Sequence, residues 1–172
     1  MTAKTEDAMA QAFWSFSTGL YSSPAVEAHL LTLQDRDGLD VNLALFCLFA
    51  AEVRRPLDYA AIEAMRALAI AWGHGVVAPL RQARRAMKHR ASESEIAAGL
   101  RNEVKAIELA AEKAMQTALA HMLVVVPEGE ADQKPRELAA AHFADWFRAE
   151  SVEGDGPRVI AKALIDAAFP SA

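Results

Sequence analysis

The sequence predicts an all-α protein, a single bundle of about six to eight helices. The chain has 172 residues, enough for one compact domain with a sizeable core. Alanine supplies 38 of them, whereas Val and Ile together supply only 17. Close-packed helices favour Ala, while a sheet core needs β-branched residues. Apolar residues also recur at helical spacing along most of the chain.

The first half of the chain predicts four helices separated by turn signals. They are expected over residues 5–20, 24–34, 41–54 and 58–72. Ser23 before Pro24, and Asp40 before an apolar run, have the character of N-caps. The third helix is apolar on nearly every side through residues 43–51, which predicts that it lies at the centre of the bundle.

The second half begins with a helix breaker. The tripeptide at residues 73–75, Gly-His-Gly, is followed by Pro79 and predicts a kink or break before a fifth helix that ends near Arg90. The long sixth helix comes next. The predicted organisation is a bundle domain at 1–123, a linker at 124–135 and a docked appendage at 136–172, with short helices at 136–150 and 157–169.

The sixth helix, at residues 92–123, has the clearest pattern. Ser92 and Glu95 match a capping box at its start. Seven residues at helical spacing predict one buried stripe: Ile96, Leu100, Val104, Ile107, Ala111, Met115 and Met122.

Composition excludes several classes of protein. With 53% hydrophobic and 24% charged residues and a net charge of -5, the chain is neither a disordered tail nor a polybasic arm. The longest apolar run, residues 43–51, is about half the ~20 residues that a membrane helix needs. The N-terminus lacks the pattern of a secretory signal. The expected location is therefore cytoplasmic, and the single Cys47 is expected to be a reduced core thiol.

Basic residues concentrate in one segment, because residues 54–90 hold eight Lys and Arg against two Asp and Glu. Four of these cations share one helix face by their spacing of i, i+3, i+4 and i+7; they are Arg81, Arg84, Arg85 and Lys88. Such a face would bind a phosphate-containing or other anionic small molecule, since guanidinium groups bind phosphate in a bidentate manner. Alternatively, the cations pair with acidic helices of the same bundle, for instance through Glu93, Glu95, Glu108 or Glu112, or are simply solvated. Nucleic-acid binding is not expected, because no aromatic residue interleaves the arginines.

An acidic turn offers four oxygen donors close in sequence: Asp35, Asp37, Asp40 and Asn42. Their spacing does not match a calcium loop, because Gly38 comes too early and the twelfth position is Phe46. Helix capping explains Asp40. We therefore predict no metal here, although a magnesium-dependent enzyme acting on a phosphorylated substrate between residues 35–42 and the basic face remains an alternative.

Signatures of catalysis are weak. Five histidines are scattered at His29, His74, His89, His121 and His142, without the paired spacing of zinc or di-iron sites. Glycine-rich phosphate loops, the Gly-x-Ser-x-Gly motif and dinucleotide fingerprints do not occur. The sequence therefore predicts no cofactor and no catalytic residue.

Two blocks of residues resemble the signature of a family of small proteobacterial proteins that is classed as a domain of unknown function. The first block comprises Phe-Trp-x-Phe-Ser at 13–17, Tyr21, and Leu-Gln-Asp-x-x-Gly-x-Asp-Val-Asn-Leu at 33–43. The second is Trp-x-x-x-Val-Val-x-Pro-Leu-Arg-x-x-Arg-Arg at 72–85, followed by Glu108 and Glu112. The resemblance spans about residues 13–122. It implies a small bacterial cytoplasmic protein, and no activity can be transferred from it.

The resemblance also marks two polar sets as candidate binding residues. The first contains Gln34, Asp35, Asp40 and Asn42; the second contains Arg81, Arg84, Arg85, Glu108 and Glu112. The function expected from the sequence is that of a non-catalytic binding or adaptor protein, with a protein partner or a second copy bound through the sixth helix. The anion-binding face and the magnesium enzyme are the two alternatives.

Overall fold

The computed structural model describes residues 3–129 and 133–170, and within them all the regular structure is helical. This confirms the predicted all-α class. The α-helices are α1 (Ala3–Tyr21), α2 (Pro24–Asp35), α3 (Val41–Glu52), α4 (Tyr59–Trp72), α5 (Ala78–Ala86), α6 (Lys88–Ala91), α7 (Glu95–Val124), α8 (Pro135–Ala149) and α9 (Gly156–Ala168). No helix in the described ranges has both the length and the apolar character needed to cross a membrane.

Helix α3 forms the middle of the core. All nine residues from Leu43 to Ala51 are buried, because this helix is apolar on every side. Phe13 of α1 stacks on Phe49 at a centroid distance of 5.0 Å and meets Phe46 edge-on at 5.5 Å. At the start of α3, Oδ1 of Asp40 accepts a hydrogen bond from the Leu43 N–H at 3.0 Å, as an N-cap does.

The C-terminal helices share this core. Helix α8 packs against α3 and α4, and α9 packs against α2 and α8. Trp146 of α8 is fully buried, with the Phe143 and Phe147 rings around it. Cys47 is also buried, and burial raises the pKa of its thiol far above the usual range, so it contributes packing and not a nucleophile.

The glycine-rich segment begins where α4 ends. Residues Gly73–Val77 form a π-helical turn that joins α4 to α5. The residues on either side, Trp72 and Ala78, keep right-handed helical dihedrals. Pro79 stands in the first turn of α5, where its missing N–H costs little. A π-helical turn thus stands where the sequence predicted a kink or break.

Two predictions for α7 are wrong. Its N-cap is Ser94, whose Oγ accepts from the Ala97 N–H at 3.5 Å, whereas Ser92 Oγ donates to the His89 carbonyl of the preceding turn. Only two of the seven residues in the predicted buried stripe are buried, whereas Ile96, Leu100 and Ile107 are 87%, 52% and 55% exposed. The buried arc keeps Ala111 and Met115 of the predicted stripe and adds Glu108, Leu119 and Leu123.

Helices α5 and α6 and the first half of α7 form a helical hairpin at residues 78–110. Helices α5 and α6 pack against α7. Within this hairpin, which the structure describes throughout, Glu108 is the sole buried residue. The hairpin therefore depends on polar contacts and partly buried apolar residues for its attachment to the bundle.

Candidate functional site

Arg81 is the centre of a polar network between α2, α5 and α7. Its Nη1 donates to Oε1 of Gln34 at 2.6 Å, and its Nη2 donates to Oε1 of Glu112 at 2.8 Å. Its Nε donates to Oε1 of Glu108 at 3.2 Å. One planar guanidinium thus connects three helices, which a lysine ammonium on a flexible stem would not do with the same geometry.

Arg84 completes the network from the next turn of α5. Its Nε donates to Oε2 of Glu108 at 2.5 Å. Burial alone raises the pKa of Glu108, but hydrogen bonds from Arg84 and Arg81 outweigh it, and the net result is a lowered pKa. Glu112 shows the opposite balance, because burial raises its pKa by more than Arg81 lowers it. Glu108 is therefore a firmly ionised partner, while Glu112 is a partly desolvated one.

The first turn of α3 supplies the neighbouring polar groups. Burial raises the pKa of Asp40, although the N–H groups of Leu43 and Asn42 and the charge of Arg81 act in the other direction. Oδ1 of Asn42 accepts a hydrogen bond from Nε2 of Gln116 on α7 at 2.8 Å. These residues place carboxyl and amide groups next to the Arg81 network.

The remaining candidates lie at the edge of the site or outside it. Nε2 of Gln34 donates to Oδ1 of Asp35 at 3.1 Å, and the same oxygen lies 3.7 Å from Nη2 of Arg85. Asp35 and Arg85 are both more than half exposed, at 58% and 60%. Lys88 is exposed. Arg81 and Arg84 thus face carboxylates of the bundle, as the pairing interpretation predicts, and do not form an open cationic strip.

The acidic turn does not converge on a point. Asp37 forms an ion pair with Arg36 at 2.9 Å, Asp35 points towards Arg85, and Asp40 caps α3. Among the residues that the structure describes, no group of three or more His, Cys, Asp or Glu side chains could hold a metal ion. The turn therefore serves capping and ion pairing in this fold.

A cavity of about 440 Å³ adjoins the Arg81 network, a volume typical of small-molecule sites. Its apolar wall consists of Trp14, Val41, Leu45 and Leu109. Its polar wall consists of Ser17, Thr18, Tyr21, Ser22, Gln34, Asn42, Arg81, Glu112 and Gln116. We call it the first cavity.

Two polar atoms in this wall are buried and unsatisfied. Ser17 is 3% exposed and Gln116 is 4% exposed. Neither Oγ of Ser17 nor Oε1 of Gln116 has a hydrogen-bond partner within the described part of the chain. Such atoms are uncommon in folded proteins, because a buried polar group without a partner costs about 1–3 kcal/mol.

A second cavity, of about 350 Å³, lies beside the first. The two cavities share Gln34, Val41, Asn42 and Arg81, so the Arg81–Gln34 hydrogen bond belongs to the wall of both. Asp40 and the π-helical residues Gly73, His74 and Val77 line only the second. A Cβ at position 73 would lie 3.4 Å from Oδ2 of Asp40, an ordinary van der Waals contact.

Four residues of this wall were predicted from the sequence, namely Gln34, Asn42, Arg81 and Glu112, and others were missed. Ser17 and Tyr21 lie in the first motif block but were not expected to line a site, and Gln116 was overlooked. A signal was present for Gln116, because it follows Met115 and precedes Leu119 on the buried arc of α7. A polar residue on a buried arc needs a partner, and a ligand is one possible partner.

Fold and site together define a small all-helical protein with an internal polar network and a ligand-sized cavity. Residues 12–119 match the family described as Protein of unknown function (DUF2390), and the chain belongs to that family. The match includes every residue of the first cavity, from Trp14 to Gln116, and excludes α8 and α9. Comparison with curated proteins gave no significant match, and neither did comparison with solved structures.

Proposed function

We propose that this protein is a non-catalytic binding protein that holds a small uncharged molecule in the first cavity. The observation that carries the proposal is the pair of buried, unsatisfied atoms, Ser17 Oγ and Gln116 Oε1, in the wall of one cavity of about 440 Å³. A ligand that hydrogen-bonds to both would remove the cost of leaving them unpaired.

The wall defines the chemistry of the ligand. The amide nitrogen of Gln116 already donates to Asn42, so its free oxygen requires an O–H or N–H donor. The Ser17 hydroxyl donates or accepts. Trp14, Leu45 and the other apolar wall residues favour an aromatic or aliphatic body. The ligand class is therefore an amphipathic molecule such as an amide, an alcohol or a phenol.

Charge complementarity favours a neutral ligand over a phosphate. The guanidinium of Arg81 already donates to Gln34, Glu108 and Glu112. A phosphate bound there would have to displace these acceptors and would meet the carboxylate of Glu112. A neutral donor next to Gln116 leaves the network intact.

The chemistry of the wall favours binding without catalysis. A serine nucleophile needs a neighbouring base to accept its proton, yet Ser17 Oγ has no hydrogen-bond partner in the described residues. The carboxylate in the cavity wall, Glu112, already accepts a hydrogen bond from Arg81.

The test uses the full chain, labelled with ¹⁵N on its tryptophan indoles, and three probes with the same ring: benzamide, phenol and phenyl phosphate. We expect benzamide or phenol, at low millimolar concentration, to give a saturable shift of the Trp14 indole signal, assigned by its loss in Trp14→Phe. Gln116→Met keeps the side-chain length and removes the acceptor, so it should abolish the shift. Gln82→Met, at an exposed position of α5, is the matched control and should leave it unchanged.

Two results would contradict the proposal. One is that neither neutral probe perturbs the Trp14 signal. The other is that phenyl phosphate binds most tightly and that its binding is lost in Arg81→Gln, which would favour the anion-binding alternative.

A further inference from the structure

We infer that the solvent-facing side of α7 is an interface between two copies of this chain, which pair with antiparallel α7 helices about a two-fold axis near residue 104. We call this surface the outer face. It consists of Ile96, Gly99, Leu100, Glu103, Ala106, Ile107, Ala110 and Ala114, and every one of them is exposed. Seven of these eight residues are uncharged and apolar, an arrangement more typical of an interface than of a solvated helix surface.

Helix geometry shows that these residues form one surface. At about 100° per residue they fall within an arc of about 120°. The buried residues Glu108, Met115 and Leu119 lie on the opposite side of α7. The outer face runs from Ile96 to Ala114, about 27 Å along the helix axis at about 1.5 Å per residue.

The two edges of the outer face differ in side-chain size. Leu100 and Ile107 lie towards one edge, and Gly99, Ala106 and Ala110 lie towards the other. An antiparallel two-fold pair brings each edge against the same edge of the other copy. With the axis near residue 104, Leu100 of each copy lies against Ile107 of the other, and the small residues of the opposite edge allow the two helices to approach closely.

The charges at one edge of this face are complementary in the same register. Glu95 and Lys113 are both exposed and lie 18 residues apart, which is five helical turns, so they flank the same edge. In an antiparallel pair centred near residue 104, each Glu95 lies beside Lys113 of the other copy. The ammonium of Lys113 lies 5.4 Å from the centre of the Trp14 ring, which holds it at this edge.

Glu103 opposes the association because of its position in the interface. Glu103 stands close to the proposed axis, so the two copies of this carboxylate face each other across the interface. The outer face is also small, on the order of 300 Å² per copy for a helix about 11 Å wide, against roughly 800 Å² in a stable complex. The expected dimer is therefore weak and concentration-dependent.

The test is sedimentation velocity on the full chain, from low micromolar to submillimolar concentration. We expect concentration-dependent dimer formation, which Leu100→Glu abolishes. Val159→Glu is the matched control, because Val159 is an apolar residue of α9 that is 66% exposed and lies outside the outer face. Glu103→Gln should tighten the dimer, since it removes the repulsion between the two carboxylates.

Charge reversal tests the register. Glu95→Lys alone and Lys113→Glu alone should each weaken the dimer, by roughly two- to tenfold for two exposed ion pairs, and the double variant should restore it. A chain that stays monomeric at every concentration, even with Glu103→Gln, overturns the inference. So does a dimer that Leu100→Glu leaves unchanged, or one that the double charge reversal does not restore.

Discussion

Arg81 and Gln34 lie 47 positions apart in the chain, and their side chains meet in a hydrogen bond of 2.6 Å. This contact joins the two sequence blocks that carry the family resemblance and forms part of the wall of both cavities. Because Arg81 also donates to Glu108 and Glu112, one side chain fixes α5 relative to α2 and α7.

Replacing Arg81 by Lys should lower the free energy of unfolding by about 1–2 kcal/mol, because one ammonium cannot reproduce three donors in a plane. Arg85→Lys is the matched control. Its only ion pair described here joins Asp35 across 3.7 Å with both side chains mostly exposed, so the expected change is below about 0.5 kcal/mol. Urea denaturation at neutral pH measures both. Equal losses in the two variants would contradict the central role of Arg81.

The two glutamates of the network should respond differently to the same substitution. Glu108→Gln removes a carboxylate whose pKa is lowered by Arg84 and Arg81, and we expect a loss of about 2 kcal/mol. This is below the loss for a fully buried pair, because both arginines remain about a fifth exposed. Glu112→Gln should cost less than about 1 kcal/mol, since burial raises the pKa of Glu112 and the neutral amide avoids that penalty.

Low pH should reduce the difference in stability between the native chain and Glu108→Gln. A carboxylate with a lowered pKa stabilises the fold above its unfolded pKa, near 4.5, and this contribution is lost as the pH falls through the folded value. The difference between the native chain and Glu108→Gln in urea denaturation should therefore shrink below about pH 4.5. A difference that does not change with pH would contradict ionic pairing as its cause.

The fold class could be predicted because its determinants are local. Abundant Ala, apolar residues at helical spacing, and N-caps such as Asp40 and Asp58 act within one or two helical turns. The arc of α7 that faces the core could not be predicted in the same way. Ile96, Leu100 and Ile107 continue the spacing of Met115 but are exposed, because α7 carries apolar residues on two sides and periodicity does not say which side the bundle covers.

The site was only partly predictable for a similar reason. The family resemblance marked four residues as candidates that the structure places in one network: Gln34, Arg81, Glu108 and Glu112. Their convergence depends on how α2, α5 and α7 pack, which no local pattern determines. The unsatisfied state of Gln116 Oε1 is still harder to predict, because it depends on the absence of a neighbour and not on any residue type.

Asp40 should stabilise the fold through the hydrogen bond that it accepts as an N-cap, and not through its negative charge. Asp40→Asn keeps an oxygen for the Leu43 N–H and avoids burying a carboxylate, so it should raise the free energy of unfolding at neutral pH by up to about 1 kcal/mol. Asp40→Ala removes the cap and should lower it by about 1 kcal/mol. Asp58→Asn is the control, because Asp58 caps α4 through the Ala61 N–H at 2.8 Å from an exposed position. It should change stability little.

The pH dependence of Asp40 has a definite sign. Its folded pKa is raised above the ordinary value of 3.8, so ionisation is less favourable in the folded chain than in the unfolded one. The free energy of unfolding should therefore fall as the pH rises from about 3.8 to the folded pKa, because the unfolded chain releases the Asp40 proton first. Urea denaturation of the native chain and of Asp40→Asn should give curves that separate in that window, with the variant more stable above it. Curves that stay parallel would contradict the burial penalty.

His142 should make the fold sensitive to mild acid. Its Nε2 accepts from the Leu57 N–H at 3.0 Å, so Nδ1 carries the proton and donates to the Cys47 carbonyl at 3.0 Å. The ring is therefore neutral, and burial is the main cause of its lowered pKa. Protonation of Nε2 would place its N–H opposite the N–H of Leu57, so that two donors would face each other without an acceptor.

The neutral, buried state of His142 determines the direction in which stability changes with pH. The unfolded chain binds a proton at His142 near pH 6.5, while the folded chain does not until a lower pH. The free energy of unfolding should fall by up to about 1.4 kcal/mol per pH unit as the pH drops below 6.5, until the folded pKa is reached. Urea denaturation one unit above and one unit below that value measures the loss. It should be smaller in His142→Gln and unchanged in His74→Gln, at an exposed position of the π-helical turn. Should His142→Gln fail to fold, the imidazole signals of the native chain give the same answer: a ring that titrates at 6.5 or above refutes the prediction.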